Sequence, residues 1–286
     1  MRWSSGDRGN IEDARGRSGI GMGGGVPIGI GGFLVLLVLS WATGTDFLSL
    51  LGGGSGSAPT EMTGTTGQVA STPEEERMVD FVDAVAGDTQ DTWQQLLGSR
   101  YQRTRVVLFR DAIQSGCGSA ESATGPFYCP ADQKVYLDLG FFNELSQRFG
   151  APGDFAEAYV VAHEFGHHVQ NLLGTNDSVR PGSMGANSGS VALELQADCY
   201  AGIWGHAASQ GGRFQAGHVE LEPGDAEEAL RAASVIGDDH LQKMGGGRVQ
   251  PERFTHGTSA QRMEWFQRGM RSGDPRQCDT FRELTQ

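Results

Sequence analysis

Cations are scarce in this 286-residue chain: 22 lysines and arginines stand against 35 aspartates and glutamates, a net charge of −13. Residues 1–45 hold four arginines and three acids, so the deficit lies in residues 46–286. No basic stripe is available for phosphates, which excludes nucleic acid as a partner. The four cysteines include no C-x-x-C pair, which argues against a cysteine zinc site, and no thiol-catalysis motif surrounds any of them. No internal repeat is present. Charge is also absent locally, since Ile20 to Thr45 contains none and no lysine or arginine follows Arg17 until Arg77.

Within that uncharged stretch, VPIGIGGFLVLLVLSWATG is long enough to cross a bilayer core of about 30 Å. A cleaved signal peptide is the competing reading. The polar residues ahead of the run and the lack of an A-x-A site after it favour an uncleaved helix. Arg2, Arg8, Arg15 and Arg17 precede it, and positive-inside counting puts the N-terminus in the cytoplasm and the bulk outside. The chain thus divides into a cytoplasmic leader (1–25), a transmembrane helix (26–45), a flexible linker (46–70) and a domain (71–286) large enough to bury its own core.

What is present in that domain is the run AHEFGHHVQ. His163 and His167, four apart on a helix, share one face and can bind a single metal ion. Glu164, beside the first, can reach a water on that metal and act as general base, the H-E-x-x-H arrangement of zinc peptidases. The surroundings predict a helix over Asp154–Leu173. Asp154 with Glu157 reads as a capping box, Phe155, Tyr159, Ala162, Phe165, Val169 and Leu172 follow helical spacing, and Gly174 offers a left-handed stop.

A catalytic zinc needs a third protein ligand and one open position. The segment SVALELQADCYAGIWGHAA predicts a second helix from about Ser188, mostly buried, with Glu194 and Asp198 four apart on one face. Glu194 is the candidate third ligand. Asp198 can accept the free N–H of a ligating histidine. His168 points about 100° away from His167 and is expected to be structural or partly exposed. His206 is roughly 18 Å along the helix from Glu194 and too far to join. His218 reads as a loop residue, and His240 with Asp238 and Asp239 is weak evidence for a second metal.

With these stretches SGCGSAESATGPFYCPADQKVYLDL, IGDDHLQ, FTHGTSAQRMEWF and the opening MRW with NIEDARG, the chain resembles the bacterial family of neutral zinc metallopeptidases. The resemblance implies a membrane-anchored zincin holding one Zn2+, with a glutamate as third ligand in the gluzincin manner. It implies an α+β, mainly helical fold with the zinc cleft between two lobes. The partner implied is a peptide or protein substrate, cleaved outside the cytoplasm, in the periplasm or beyond. A peptidase of this kind also needs a donor for the developing oxyanion. His256, on a loop before the helix that Thr258 and Gln261 cap, is the candidate. A zinc-stabilised envelope binding protein and an amidase acting on cell-wall peptides are the alternatives, though the intact Glu164 favours an enzyme.

Cys117 and Cys129 bracket a short glycine- and serine-rich loop that a disulfide can close. Cys199 and Cys278 are the remaining two, and four cysteines permit three connectivities. Further helices are expected from Thr72-Pro73, over Thr89–Leu97, over Asp225–Gln242 and from Ser259 to about Met270, with strands at RVVLF and KVYLDL.

Overall fold

The computed structural model describes residues 1–16, 69–180, 182–211 and 217–284. The architecture is mixed α/β and mainly helical, as expected. Eight strands occur among the described residues: β1 (Arg2–Trp3), β2 (Ile11–Asp13), β3 (Val106–Phe109), β4 (Ala112–Ser115), β5 (Gly118–Glu121), β6 (Phe127–Cys129), β7 (Lys134–Asp138) and β8 (Val219–Glu220). The helices are α1 (Pro73–Leu97), α2 (Gly140–Gln147), α3 (Asp154–Leu173), α4 (Gly189–Ala208), α5 (Asp225–Val235), α6 (Asp238–Met244), α7 (Ser259–Ser272) and α8 (Thr280–Leu284).

A four-stranded sheet has the order β2-β3-β7-β6, parallel except for β6. Every residue of β3 is buried, the pattern of a strand covered on both faces. Helices α1 and α3 pack with this sheet into the main core around Phe81, Val106, Leu137, Phe155 and Phe165. A second core, around Trp93, Leu195, Ile203 and Trp265, joins α1, α4 and α7. The two disulfides are Cys117–Cys129, between the β4–β5 hairpin and β6, and Cys199–Cys278, which ties the tail to α4.

Three expectations about helices change. Thr89–Leu97 is the last part of one 25-residue helix, because the buried Ala- and Val-rich stretch before it packs in the core and carries the helix through Gly87. Asp225–Gln242 is two helices, divided at Gly237, where any Cβ would sit 2.3 Å from the Ser259 nitrogen. Asp154 is not the N-cap of α3. Gly153 holds that position, and the Asp154 carboxylate instead accepts from the Met1 α-amine at 3.1 Å. Asp225 accepts from the same amine at 3.1 Å.

The larger correction concerns the leader. Residues 1–16, expected to stand apart from a domain of 71–286, are built into it. β1 pairs with β8, β2 extends the sheet beside β3, and Ile11 is in the core. The reason is that the NIEDARG run carries its own strand pattern and its polar groups have partners on α1: Asn10 bonds Asp83 and Gln90. The expected membrane helix at 26–45 lies outside the described residues, as does nearly all of the linker. Among the described residues no helix is long and apolar enough to cross a membrane.

Glu157, one turn into α3, is raised to about 7 by burial and by the neighbouring Asp154 and Glu228. A carboxyl whose folded pKa is raised loses stability as pH climbs from its ordinary value through 7. Glu157→Gln is therefore expected to exceed wild-type stability at pH 8 by about 1–3 kcal/mol, with most of the gain gone at pH 5. Urea unfolding of the full-length protein at the two pH values, read by tryptophan fluorescence, checks this. A pH-independent difference would contradict it.

Candidate metal centre

Helices α3 and α4 cross where Gly166 meets Ala197. A Cβ on Gly166 would lie 3.0 Å from both the Ala197 Cα and its carbonyl oxygen. That close approach sets the histidine face of α3 against the acidic face of α4. His163 Nε2 stands 3.2 Å from one Glu194 oxygen, and His167 Nε2 stands 3.5 Å from the other. One donor atom from each of the three residues lies within 4.8 Å of the others. Ligands of a tetrahedral zinc with bonds of about 2.0–2.2 Å are separated by roughly 3.3–3.5 Å. The donor set and its spacing therefore fit zinc.

The other ring nitrogens are occupied, which fixes which nitrogen faces the centre. His163 Nδ1 donates to Asp198 Oδ1 at 2.8 Å. His167 Nδ1 is 2.9 Å from Gln170 Oε1. The Gln170 NH2 donates to the Leu193 carbonyl at 2.7 Å, so its oxygen is the atom left to accept from His167. Gln170 was missed in the sequence. Its signal was a polar residue one turn beyond His167 on the same face, in a helix otherwise packed with apolar groups.

Arg262 was missed as well. Asp198 is wholly buried, and Arg262 donates to both of its oxygens, through Nε at 2.9 Å and Nη2 at 2.8 Å. Tyr159 adds a third donor, its hydroxyl 2.5 Å from Oδ1. Helices α4 and α7 must nearly touch for this. A Cβ on Gly269 would fall 1.9 Å from the Cys199 carbonyl oxygen, so only glycine fits. Burial alone would raise the Asp198 carboxyl, but Arg262 and His163 hold it below its ordinary value.

Glu164 is 7% exposed and near enough to His167 for its carboxylate to help raise that histidine. His256 lies on the loop before α7, its ring half exposed. Asp238 cradles this loop, accepting from the backbone N–H groups of Thr255, His256 and Gly257 and lying 3.3 Å from His256 Nδ1. Against the lowering effect of burial, Glu194 and Asp238 raise the His256 pKa.

The remaining histidines fall elsewhere. His168 is fully buried, so partial exposure is excluded. It bonds the Gln102 carbonyl at 2.6 Å and the Tyr128 hydroxyl at 3.0 Å, joining α3 to β6. His206 bonds the Met270 carbonyl and His218 faces Asp91. His240 joins no cluster that could hold a metal among the described residues. Its acidic neighbours are structural, Asp238 in the cradle under the His256 loop and Asp239 on the Ser259 nitrogen.

Burial lowers His163, yet Asp198 and Glu194 carry it up to about 10, and His167 is also raised. A metal must then displace protons to bind. Calorimetry of zinc uptake at pH 7.5, in two buffers of different ionisation enthalpy, is expected to report release of at least one proton and weaker binding as pH falls. No proton release would overturn this charge assignment. Arg262→Lys keeps the cation but loses the two-pronged contact. Zinc affinity is expected to drop about 10–100-fold, measured against a chromophoric chelator. An unchanged affinity would mean that Asp198 needs no such clamp.

The family model described as "Putative neutral zinc metallopeptidase" matches residues 1–281. The uncharacterized protein YpfJ of Escherichia coli is 45% identical over 296 aligned positions, covering 98% of this chain and 99% of its own. The uncharacterized protein Rv2575 of Mycobacterium tuberculosis is 47% identical over 204 positions, covering 70% of this chain and 69% of its own. No solved structure matches.

Proposed function

Since the chain belongs to the neutral zinc metallopeptidase family, we propose that it hydrolyses peptide bonds at the centre formed by His163, His167 and Glu194. The observation that carries this reading is the convergence of three donor atoms whose outer partners, Asp198 and Gln170, fix both imidazoles in the metal-facing tautomer. A structural zinc site is closed by four protein ligands, whereas the set here offers three, the pattern of a catalytic site. Zinc held there supplies Lewis-acid polarisation to a substrate carbonyl and to the attacking water.

The chain's own groups supply the rest. Glu164 takes a proton from the attacking water and passes it to the leaving amine nitrogen. Its place next to His163 in the helix keeps the carboxylate beside the ligands. His256, on the loop that Asp238 cradles and carrying a raised pKa, is the donor for the oxygen that gains negative charge. Asp198 remains a carboxylate because Arg262 neutralises it. The N–H of His163 therefore stays engaged and its Nε2 lone pair stays directed at the centre.

On the same reading the uncharged run Ile20–Thr45 attaches the enzyme to the bacterial membrane, and the two disulfides suit an oxidising compartment outside the cytoplasm. The substrate is then a peptide or protein at the cell envelope.

The test uses the full-length protein in detergent, zinc-loaded, with a diverse peptide library read by mass spectrometry. Glu164→Gln is expected to keep one zinc by metal analysis and to lose roughly 10²–10⁴-fold in cleavage rate. Wild-type cleavage that the variant matches would remove Glu164 from the mechanism. No cleavage by zinc-loaded wild type would shift the reading to a zinc-stabilised binding protein.

A further inference from the structure

We propose that residues 1–16 share one side of the membrane with the metal centre, contrary to the single crossing that charge counting implies. The inference rests on the reading of Ile20–Thr45 as membrane-embedded only for the word membrane. Its physical basis is the packing of two described segments.

Contacts with the domain recur from Met1 to Arg15. Arg2 and Trp3 pair in register with Glu220 and Val219, and Ile11, Glu12 and Asp13 pair with Val106, Val107 and Leu108. The Ala14 N–H donates to the Leu108 carbonyl at 2.8 Å, and the Val106 N–H donates to the Asn10 carbonyl at 2.8 Å. β2 is the edge strand of the four-stranded sheet. Without it the wholly apolar β3 would present an unpaired edge, a template for aggregation.

The arginines that resemble a topology signal are ion-pair partners of the fold. Arg2 meets Glu220 at 3.2 Å, and Arg8 meets Glu76 and Asp80 at 2.6 Å each. Arg15, its side chain 1% exposed, meets Asp13, Glu75 and Glu76. Three of the four cations counted as cytoplasmic are thereby engaged in contacts, two of them with α1. The chain also departs and rejoins at one place. Arg15 contacts Glu75 at 3.1 Å, and the Arg110 guanidinium bonds both Glu75 and the Ala70 carbonyl.

Hydrogen bonds near 3 Å cannot act across a hydrocarbon core of about 30 Å. An odd number of crossings between Gly16 and Val69 and these contacts are therefore mutually exclusive.

The test uses the full chain in bacterial cells. Ser5→Cys and Ser99→Cys, both at accessible positions, are labelled separately with a membrane-impermeant maleimide before and after permeabilisation. Wild type, whose cysteines are disulfide-bonded, is the blank. The expected result is the same pattern for both positions. Labelling of one before permeabilisation and of the other only afterwards overturns the proposal. The double variant Arg2→Cys/Glu220→Cys, in register across β1 and β8, is expected to cross-link with a short bismaleimide in the membrane fraction, read as a joined peptide. No joined peptide, with both cysteines shown to be reactive, likewise overturns it. Recovery of the chain in the soluble fraction would defeat the membrane reading alone, and the cross-link would then decide whether residues 1–16 pack on the domain.

Discussion

A carboxylate with no access to water, that of Asp198, is bound at once by three helices. It sits on α4 and receives His163 and Tyr159 from α3 and Arg262 from α7. An ionised group in such a place is costly unless its lone pairs are filled and its charge is matched. The arginine supplies the charge and two donors, and the tyrosine and histidine fill what remains. The orientation of His163 is thus set by the same contacts that hold the helices together, so the candidate centre and the packing cannot vary independently.

That arrangement demands helices closer than ordinary side chains allow. Gly166 between α3 and α4, and Gly269 between α4 and α7, remove the Cβ where the backbones meet. The disulfide from Cys199 lies on the same helix as Glu194 and Asp198 and anchors the tail against it, with Gln196 donating to the Cys278 carbonyl. The N-terminal strands support the sheet in a comparable way, closing the edge of the sheet on which α1 and α3 rest. Such support suits the function proposed for the centre, in which the three donor side chains would have to stay within a fraction of an ångström of their working positions.

The candidate ligand pair and candidate base were legible because their spacing depends on helical period alone. His163, Glu164 and His167 lie within five residues of one helix, and Glu194 and Asp198 sit one turn apart on another. The strands at Val106 and Lys134 and the cap at Thr258 and Gln261 are local patterns of the same kind. Arg262 was in view within a recognised stretch but had no visible partner, since Asp198 is 64 positions away and the crossing at Gly269 brings them together. Gln170 was hidden because a glutamine in a helix reads as surface until its neighbours are known.

The leader shows the same division more sharply. Its arginines, ahead of an apolar run, carry a signal that linear counting reads as an address. What they do is decided by Glu75, Glu76, Asp80 and Glu220, acids that only folding places beside them. Residue order was sufficient to single out His163, Glu164 and His167 as candidates, because adjacent turns of one helix fix their spacing, while Glu194 reaches them only through the crossing at Gly166. It was insufficient for the arginine clamp and for the place of residues 1–16, because both depend on charges and strand edges that meet across long stretches of chain.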